Sequence, residues 1–463
     1  MSVQFETYIQ LLKSYVLREV AKRAFEGNLH KGVLDISKIN IPGKQDTMRC
    51  CVYKEQAVFM ERAKLAMGGD DTNPNVIEVI EIACDECPIG GYEITRMCRG
   101  CIAHRCKDVC RPNAIITDQK RTYIDKSKCT NCGACEKVCP YNAIHNFKRP
   151  CEVACKTGAI SMKKTHEAEI DNDKCIACGS CVYQCPFGAI MDKSYIVDAI
   201  NLILDSEKEG GAEVYAIIAP SIASQFTYVK LGQVVSAIKA LGFNHVMEVA
   251  KGADIVAEAE ALELVEKGIL ANSCCPAFVK YVESKFPEQI KLLSCSQSPM
   301  TVIAKEIKAK DPTAKVVFIG PCTAKKMEQK RDDVRPYVDC VLTFEELHAL
   351  FESKDIDLTL LEEDALNDAS YFGRMLAVSG GLVGAIGDSL KTQGYNDFEF
   401  NPVICDGLDD CRKALLKASK NALAENFIEG MACEGGCVSG AGCLRRSPRN
   451  RMDVEKFANE AKA

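Results

Sequence analysis

Apolar residues recur at helical spacing from 8 to 25 and again from 58 to 67, so residues 1–80 are expected to be a mostly helical segment. The pair Cys50-Cys51 lies between these stretches and reads as structural, because adjacent cysteines rarely ligate one metal centre. From 81 to 193 the helical period gives way to closely spaced cysteines. Beyond Lys193, strand and helix patterns alternate. Short apolar runs at 214–219, 245–249 and 315–319 read as buried strands, and helices are expected over 222–241, 255–266 and 279–286. Alternation of this kind predicts a parallel sheet with ligands gathered at the carboxyl ends of its strands. Residues 386–430 read as mixed helix and loop, and the polar tail as a surface helix. The expected divisions are 1–80, 81–193, 194–445 and 446–463.

The cysteines change the picture. There are 28 in 463 residues, and the N-terminus mixes Gln, Glu, Lys and Arg with its apolar residues, without the core of a secretory signal. No run is long and apolar enough to span a membrane. The expectation is a soluble, cytoplasmic protein whose thiols bind metal and do not form disulfides. A net charge of −6 argues against nucleic acid as the main partner.

A unit Cys-x3-Cys-x2-[Asn/Gly]-Ala-Ile occurs four times, with cysteines at Cys106/Cys110, Cys135/Cys139, Cys151/Cys155 and Cys181/Cys185. Two copies belong to complete Cys-x2-Cys-x2-Cys-x3-Cys-Pro runs, made of Cys129, Cys132, Cys135 and Cys139, and of Cys175, Cys178, Cys181 and Cys185. These are bacterial ferredoxin runs, in which three thiolates hold one [4Fe-4S] cubane and the fourth reaches the neighbouring cluster. Zinc modules space their hooks differently, as two Cys-x2-Cys pairs separated by a longer loop. The run Cys98, Cys101, Cys106, Cys110 is less regular, and Cys151 and Cys155 lack a hook that Cys84 and Cys87 could supply. Together these make 16 cysteines, enough for four cubanes; the alternative is one extra cluster with some spectators. His104 lies inside the irregular run, either as a ligand or as a histidine beside the cluster.

Three further loops stand in the C-terminal half: Asn272-Ser273-Cys274-Cys275-Pro276, Gly320-Pro321-Cys322-Thr323-Ala324-Lys325 and Met431-Ala432-Cys433-Glu434-Gly435-Gly436-Cys437. In sequence and order they resemble the signature loops of the [FeFe]-hydrogenases, over about residues 80 to 445. The fold this resemblance implies is α/β: an N-terminal ferredoxin-like (α+β) iron–sulfur region, then a two-lobed α/β hydrogenase domain with its active site between the lobes. It further implies that Cys275, Cys322, Cys433 and Cys437 hold the [4Fe-4S] half of an H-cluster. Cys437 would bridge to a two-iron subcluster carrying CO, cyanide and azadithiolate. Lys325 falls where the family donates to an iron-bound cyanide, and Pro220, Ser221, Ser298, Met300 and Met431 fall where the two-iron pocket is lined. Cys274 matches the thiol that exchanges protons with the azadithiolate nitrogen. Glu260, Ser294 and Glu263 match the proton path, with Lys267 where a surface arginine usually ends it.

The activity so implied is reversible oxidation of dihydrogen to protons and electrons, ferredoxin-dependent, with separate maturation proteins installing the two-iron unit. Phe278, Gly320 and Met300 depart from the best-studied class and look like the group B monomeric type. Other readings stay open. Glu260 and Glu263 also suit a solvated helix face. The whole chain also suits a non-catalytic hydrogenase-like iron–sulfur protein of the kind used in cluster assembly, or a hydrogen or redox sensor. A pure electron-transfer polyferredoxin would leave residues 210–445 without a purpose.

Overall fold

Helix Tyr8–Phe25 begins at Thr7, whose hydroxyl accepts from Gln10 N–H while the Gln10 side chain accepts from Thr7 N–H, closing a capping box. One face carries Leu12, Val16, Leu17, Val20 and Ala21, all buried, and packs on helix Phe344–Ser353 of the C-terminal half. The computed structural model describes residues 5–29, 35–36, 51–88, 90–118 and 122–461. Cys50 lies outside them; Cys51 is exposed and directly precedes helix Val52–Ala66.

The cysteine-rich region consists of short antiparallel hairpins and single helical turns. Strand Gly91–Ile94 pairs with Ile144–Phe147, Ile115–Thr117 with Thr122–Ile124, and Ala168–Ile170 with Ile160–Met162. The four-fold repeat has a backbone cause. Asn113, Asn142, Gly158 and Gly188 all take positive φ, from 47° to 68°, which favours Asn and Gly. That turn aims the next N–H, of Ala114, Ala143, Ala159 and Ala189, at the sulfur four residues back, at 3.2–3.4 Å.

The C-terminal half holds two parallel sheets. One has the order His245–Glu248, Val214–Ile218, Lys315–Gly320, Cys340–Thr343; the other Leu270–Ala271, Phe427–Met431, Pro402–Asp406. The fold is the expected α/β, with the ferredoxin-like region N-terminal to it.

Several elements differ from the sequence expectation. The stretch 222–241 is a 3-10 turn, Pro220–Ser224, and a separate helix, Leu231–Ala240; Pro220 starts the first. The helix expected over 255–266 begins earlier, as Val249–Lys267. Residues 386–430 contain two strands as well as helices, so all three cysteine loops leave strand ends. The tail helix Asn450–Asn459 is not merely a surface element, since it buries Val454, Phe457 and Ala458.

Candidate metal centre and proton path

Each strand end delivers one loop into a single cavity between the two sheets. Its wall includes Ala219, Pro220, Ser221, Cys274, Cys275, Met300, Phe318, Cys322, Lys325, Met431, Cys433 and Cys437, around about 870 Å³ of space not filled by protein. The four thiols are close enough to raise one another: burial comes first for Cys433, then Cys322, Cys275 and Cys437. Burial also pushes Cys322 up to about 12. Such thiols stay protonated at neutral pH unless a bound cation draws their protons off. Among the described residues no three His, Cys, Asp or Glu side chains converge on a single ion. Thiolates of a four-iron cage stand at its outer corners, wider apart than around zinc, so the donor set fits a cluster.

Polar groups on the wall fit the same reading. The Ser221 hydroxyl is fully buried and has no partner, which is costly unless something in the cavity meets it. Lys325 is 9% exposed; burial works against its charge, but the Glu328 carboxylate at 2.6 Å more than offsets this and holds its pKa up. Its Nζ also donates to Cys274 O at 3.4 Å. The buried ammonium is thus already paired within the protein, so an anionic cofactor is not required to explain it. Ser298 is buried beside the cavity, where its Oγ meets Thr301 Oγ1 at 3.4 Å; its neighbour Pro299 is on the wall.

The departures have structural causes. A Cβ at Gly320 would meet the Phe318 ring at 2.5 Å, so a larger side chain there would collide with a ring that is itself part of the wall. Phe278 is fully buried with its ring where a Cβ at Gly430 would stand, 2.4 Å away. Met300 is fully buried on the wall.

A polar chain runs from the cavity to the surface. Cys274 is buried, and its thiol is pushed well up by burial and then by the nearby Glu260. Glu260 is fully buried with one oxygen unpartnered; the other accepts from Ser273 N–H at 3.2 Å. Burial raises its carboxyl to about 8, against hydrogen bonds from Ser273 and Ser294 that favour the anion. The Ser294 hydroxyl donates to Glu263 Oε2 at 2.7 Å. Glu263 also accepts from Cys295 N–H at 3.0 Å and from Lys267 Nζ at 2.6 Å, and these donors hold its pKa down despite its burial. Buried neutral acid, hydroxyl and outer carboxylate make an order that can move protons.

Three contributors carry no motif. Asn272 donates to Cys274 Sγ at 3.0 Å and accepts from Gly430 N–H at 2.7 Å, tying the first loop to the third. Glu328 pairs with Lys325. Thr323 donates to Ala177 O at 2.7 Å, joining the second loop to the Cys175–Cys178 turn. Across that seam Cys178 reaches the cavity wall, and a Cβ at Gly179 would meet Ala441 at 2.3 Å.

The accessory thiols also sort into sets. Cys98, Cys101, Cys106 and Cys139 line one pocket with His104, and Cys106 faces Cys101 and Cys139. Cys135 faces Cys129 and Cys110, with Cys132 in the same run. Cys181 faces Cys178, Cys175 and Cys155. Cys84, Cys151 and Cys185 are buried, with Cys87 partly so.

Residues 212–441 match the family described as iron only hydrogenase large subunit, C-terminal domain, and residues 122–145 and 168–191 match the 4Fe-4S binding domain. The chain is 28% identical to Iron hydrogenase 1 of Clostridium pasteurianum over 73% of this chain and 67% of that one. It is 27% identical to the NADP-reducing hydrogenase subunit HndD of Solidesulfovibrio fructosivorans over 74% of this chain, spanning only 60% of that relative. It is also 25% identical to the cytosolic Fe-S cluster assembly factor NAR1 of Eremothecium gossypii, over 48% of this chain and 64% of that protein. With two cubane-binding modules feeding three cysteine loops in one matched domain, the chain belongs to the [FeFe]-hydrogenase-like iron–sulfur proteins.

Proposed function

We propose that the protein is an [FeFe]-hydrogenase of the group B monomeric type, interconverting dihydrogen with protons and electrons. The observation that carries this reading is the meeting of Cys275, Cys322, Cys433 and Cys437 on one cavity whose wall also bears Cys274, next to the buried acid Glu260. An H-cluster held by those four thiolates would supply the hydrogen chemistry, with Cys437 bridging to its two-iron part, which maturation proteins would install. The protein's share is placement and proton traffic. Ser221 and Lys325 offer donors to the ligands of the two-iron part, and Pro220, Met300, Phe318 and Met431 keep the site dry. Cys274, Glu260, Ser294 and Glu263 carry the proton, and Lys267 holds the outer carboxylate.

Electrons pass through the accessory cubanes to a ferredoxin-like carrier. Support for an acidic partner lies around the Cys98–Cys110 set, where Arg96, Arg99, Arg105, Lys107 and Arg111 are exposed in a chain of net charge −6. The setting is cytoplasmic and anaerobic; among the described residues no helix is long and apolar enough to cross a membrane. Infrared spectroscopy of anaerobically matured protein should show CO and cyanide bands, alongside hydrogen evolution from a reduced dye. Neither signal appearing in fully matured protein would overturn the reading.

Similarity to the assembly factor favours a second reading, a non-catalytic iron–sulfur protein. That reading gives no purpose to a buried thiol, a raised carboxyl and a surface carboxylate set in sequence.

A further inference from the structure

Cys84 and Cys87 stand more than 60 residues before Cys151, yet Cys151 faces Cys185, Cys84 and Cys87 together. Neither Cys84, Cys87 nor Cys151 falls within the matched 4Fe-4S segments. The turn hydrogen bonds seen at the other sets recur here: Ala189 N–H donates to Cys185 Sγ and Ala168 N–H to Cys84 Sγ, both at 3.3 Å. Beside these thiols lies Arg149, 2% exposed, with Nη1 3.8 Å from Cys84 Sγ. Its Nε and Nη2 are buried with no partner, and no carboxylate pairs with it among the described residues. A guanidinium remains charged in a protein, so an unpaired buried one calls for an anion. Four neutral thiols do not provide it. A cubane held by four thiolates does, because the cage and its ligands together are negative.

We infer that Cys84, Cys87, Cys151 and Cys185 hold a [4Fe-4S] cubane with Arg149 as its buried counter-charge. Cys155 completes the Cys175, Cys178, Cys181 set by the same exchange that joins Cys110 to Cys129, Cys132 and Cys135. One two-cluster module, 98–139, is therefore inserted between the second and third ligands of another. The outer module is the one that abuts the C-terminal cavity. Arg149 favours the one-electron reduced state of its cluster, since reduction adds a negative charge beside a fixed positive one. The cluster it touches is a holding point for an electron on the way between carrier and cavity.

The inference rests on the iron–sulfur reading of residues 84–185 and not on the hydrogen chemistry, so it is tested on full-length protein reconstituted without the two-iron unit. Cys84→Ala should lower bound iron by one cubane, and Cys151→Ala should do the same without adding to it in the double variant. Arg149→Gln should keep the iron content and move one midpoint potential downward in an electron paramagnetic resonance titration, by a tenfold or greater change in the reduction equilibrium, 59 mV for one electron. Arg149→Lys should retain most of the wild-type value. Unchanged iron in Cys84→Ala would overturn the ligand set. All midpoints standing still in Arg149→Gln would overturn the counter-charge. Loss of every cluster in Cys84→Ala would also count against a discrete site, and the Arg149 pair of variants, which leave all ligands intact, gives an independent answer.

Discussion

Thr323 donates its hydroxyl to the carbonyl of Ala177 at 2.7 Å, and through this bond the loop bearing Cys322 is fastened to the turn bearing Cys175 and Cys178. Both partners are buried. Thr323→Val keeps the shape and removes the donor, leaving the Ala177 carbonyl unpaired at a cost of about 1–3 kcal/mol. Thermal melting of cluster-loaded protein should shift down by several degrees, and the cavity centre should reduce more slowly than the accessory clusters. A variant melting like the wild type would show that the seam is held elsewhere.

Glu260 should govern a pH dependence. Its folded carboxyl is raised to about 8 from an ordinary 4.5 by burial. Below 4.5 folded and unfolded chains both carry the proton, and the neutral acid costs nothing extra. Between 4.5 and 8 the unfolded chain releases it while the folded one keeps it, so stability falls as pH rises, by about 1.4 kcal/mol per unit. Glu260→Gln should lose this slope, so its melting temperature gains on the wild type as pH rises towards 8. Infrared spectra should show a protonated carboxyl band at neutral pH that the Gln variant lacks; a wild type without that band would contradict the assignment.

Cys274→Ala should retain full iron and lose turnover by roughly 10²–10⁴-fold, the usual worth of a positioned acid–base group. Near-normal hydrogen evolution would remove the thiol from the proton path.

Cys437→Ser should fail to keep the two-iron unit, and infrared CO and cyanide bands surviving unchanged would refute the bridging role. The four-iron part, still held by three thiolates, should remain partly loaded.

Lys326 is fully buried between Asp192 and Glu346, at 2.9 Å from each, and Asp192 in turn meets Lys13 at 2.5 Å. This network bonds the N-terminal helix, the end of the cysteine-rich region and the helix after Cys322. Lys326→Ala leaves two carboxylates facing each other unpaired and should destabilise by about 3–5 kcal/mol, measured as a loss of melting temperature. A loss below 1 kcal/mol would mean that water relieves the site.

Much of this was legible in the sequence because cluster loops and strand ends are local. Pro321-Cys322 after an apolar run, or Asn142-Ala143 after Cys139, fixes its own geometry within a few residues. The strand Phe427–Met431 escaped notice because Glu429 and Gly430 interrupt its apolar run; Glu429 is buried as a cap for the helix starting at Gly381, with Gly380 N–H and Val383 N–H as its donors. Long-range partners were invisible for a different reason. Nothing near Lys325 announces Glu328 as its counter-ion and not a cofactor, and nothing in Thr323 names Ala177, 146 residues away. Arg149 looked like any surface arginine until the chain folded around it.

The interrupted module also dictates a sequence of events at the ribosome. The inner pair of cages has all eight sulfurs on one unbroken stretch, 98 to 139, and can be loaded as soon as that stretch emerges. Its host must wait, two sulfurs already out and six to come, until residue 185 has been made, so iron delivery to the nascent chain runs from the inside outward.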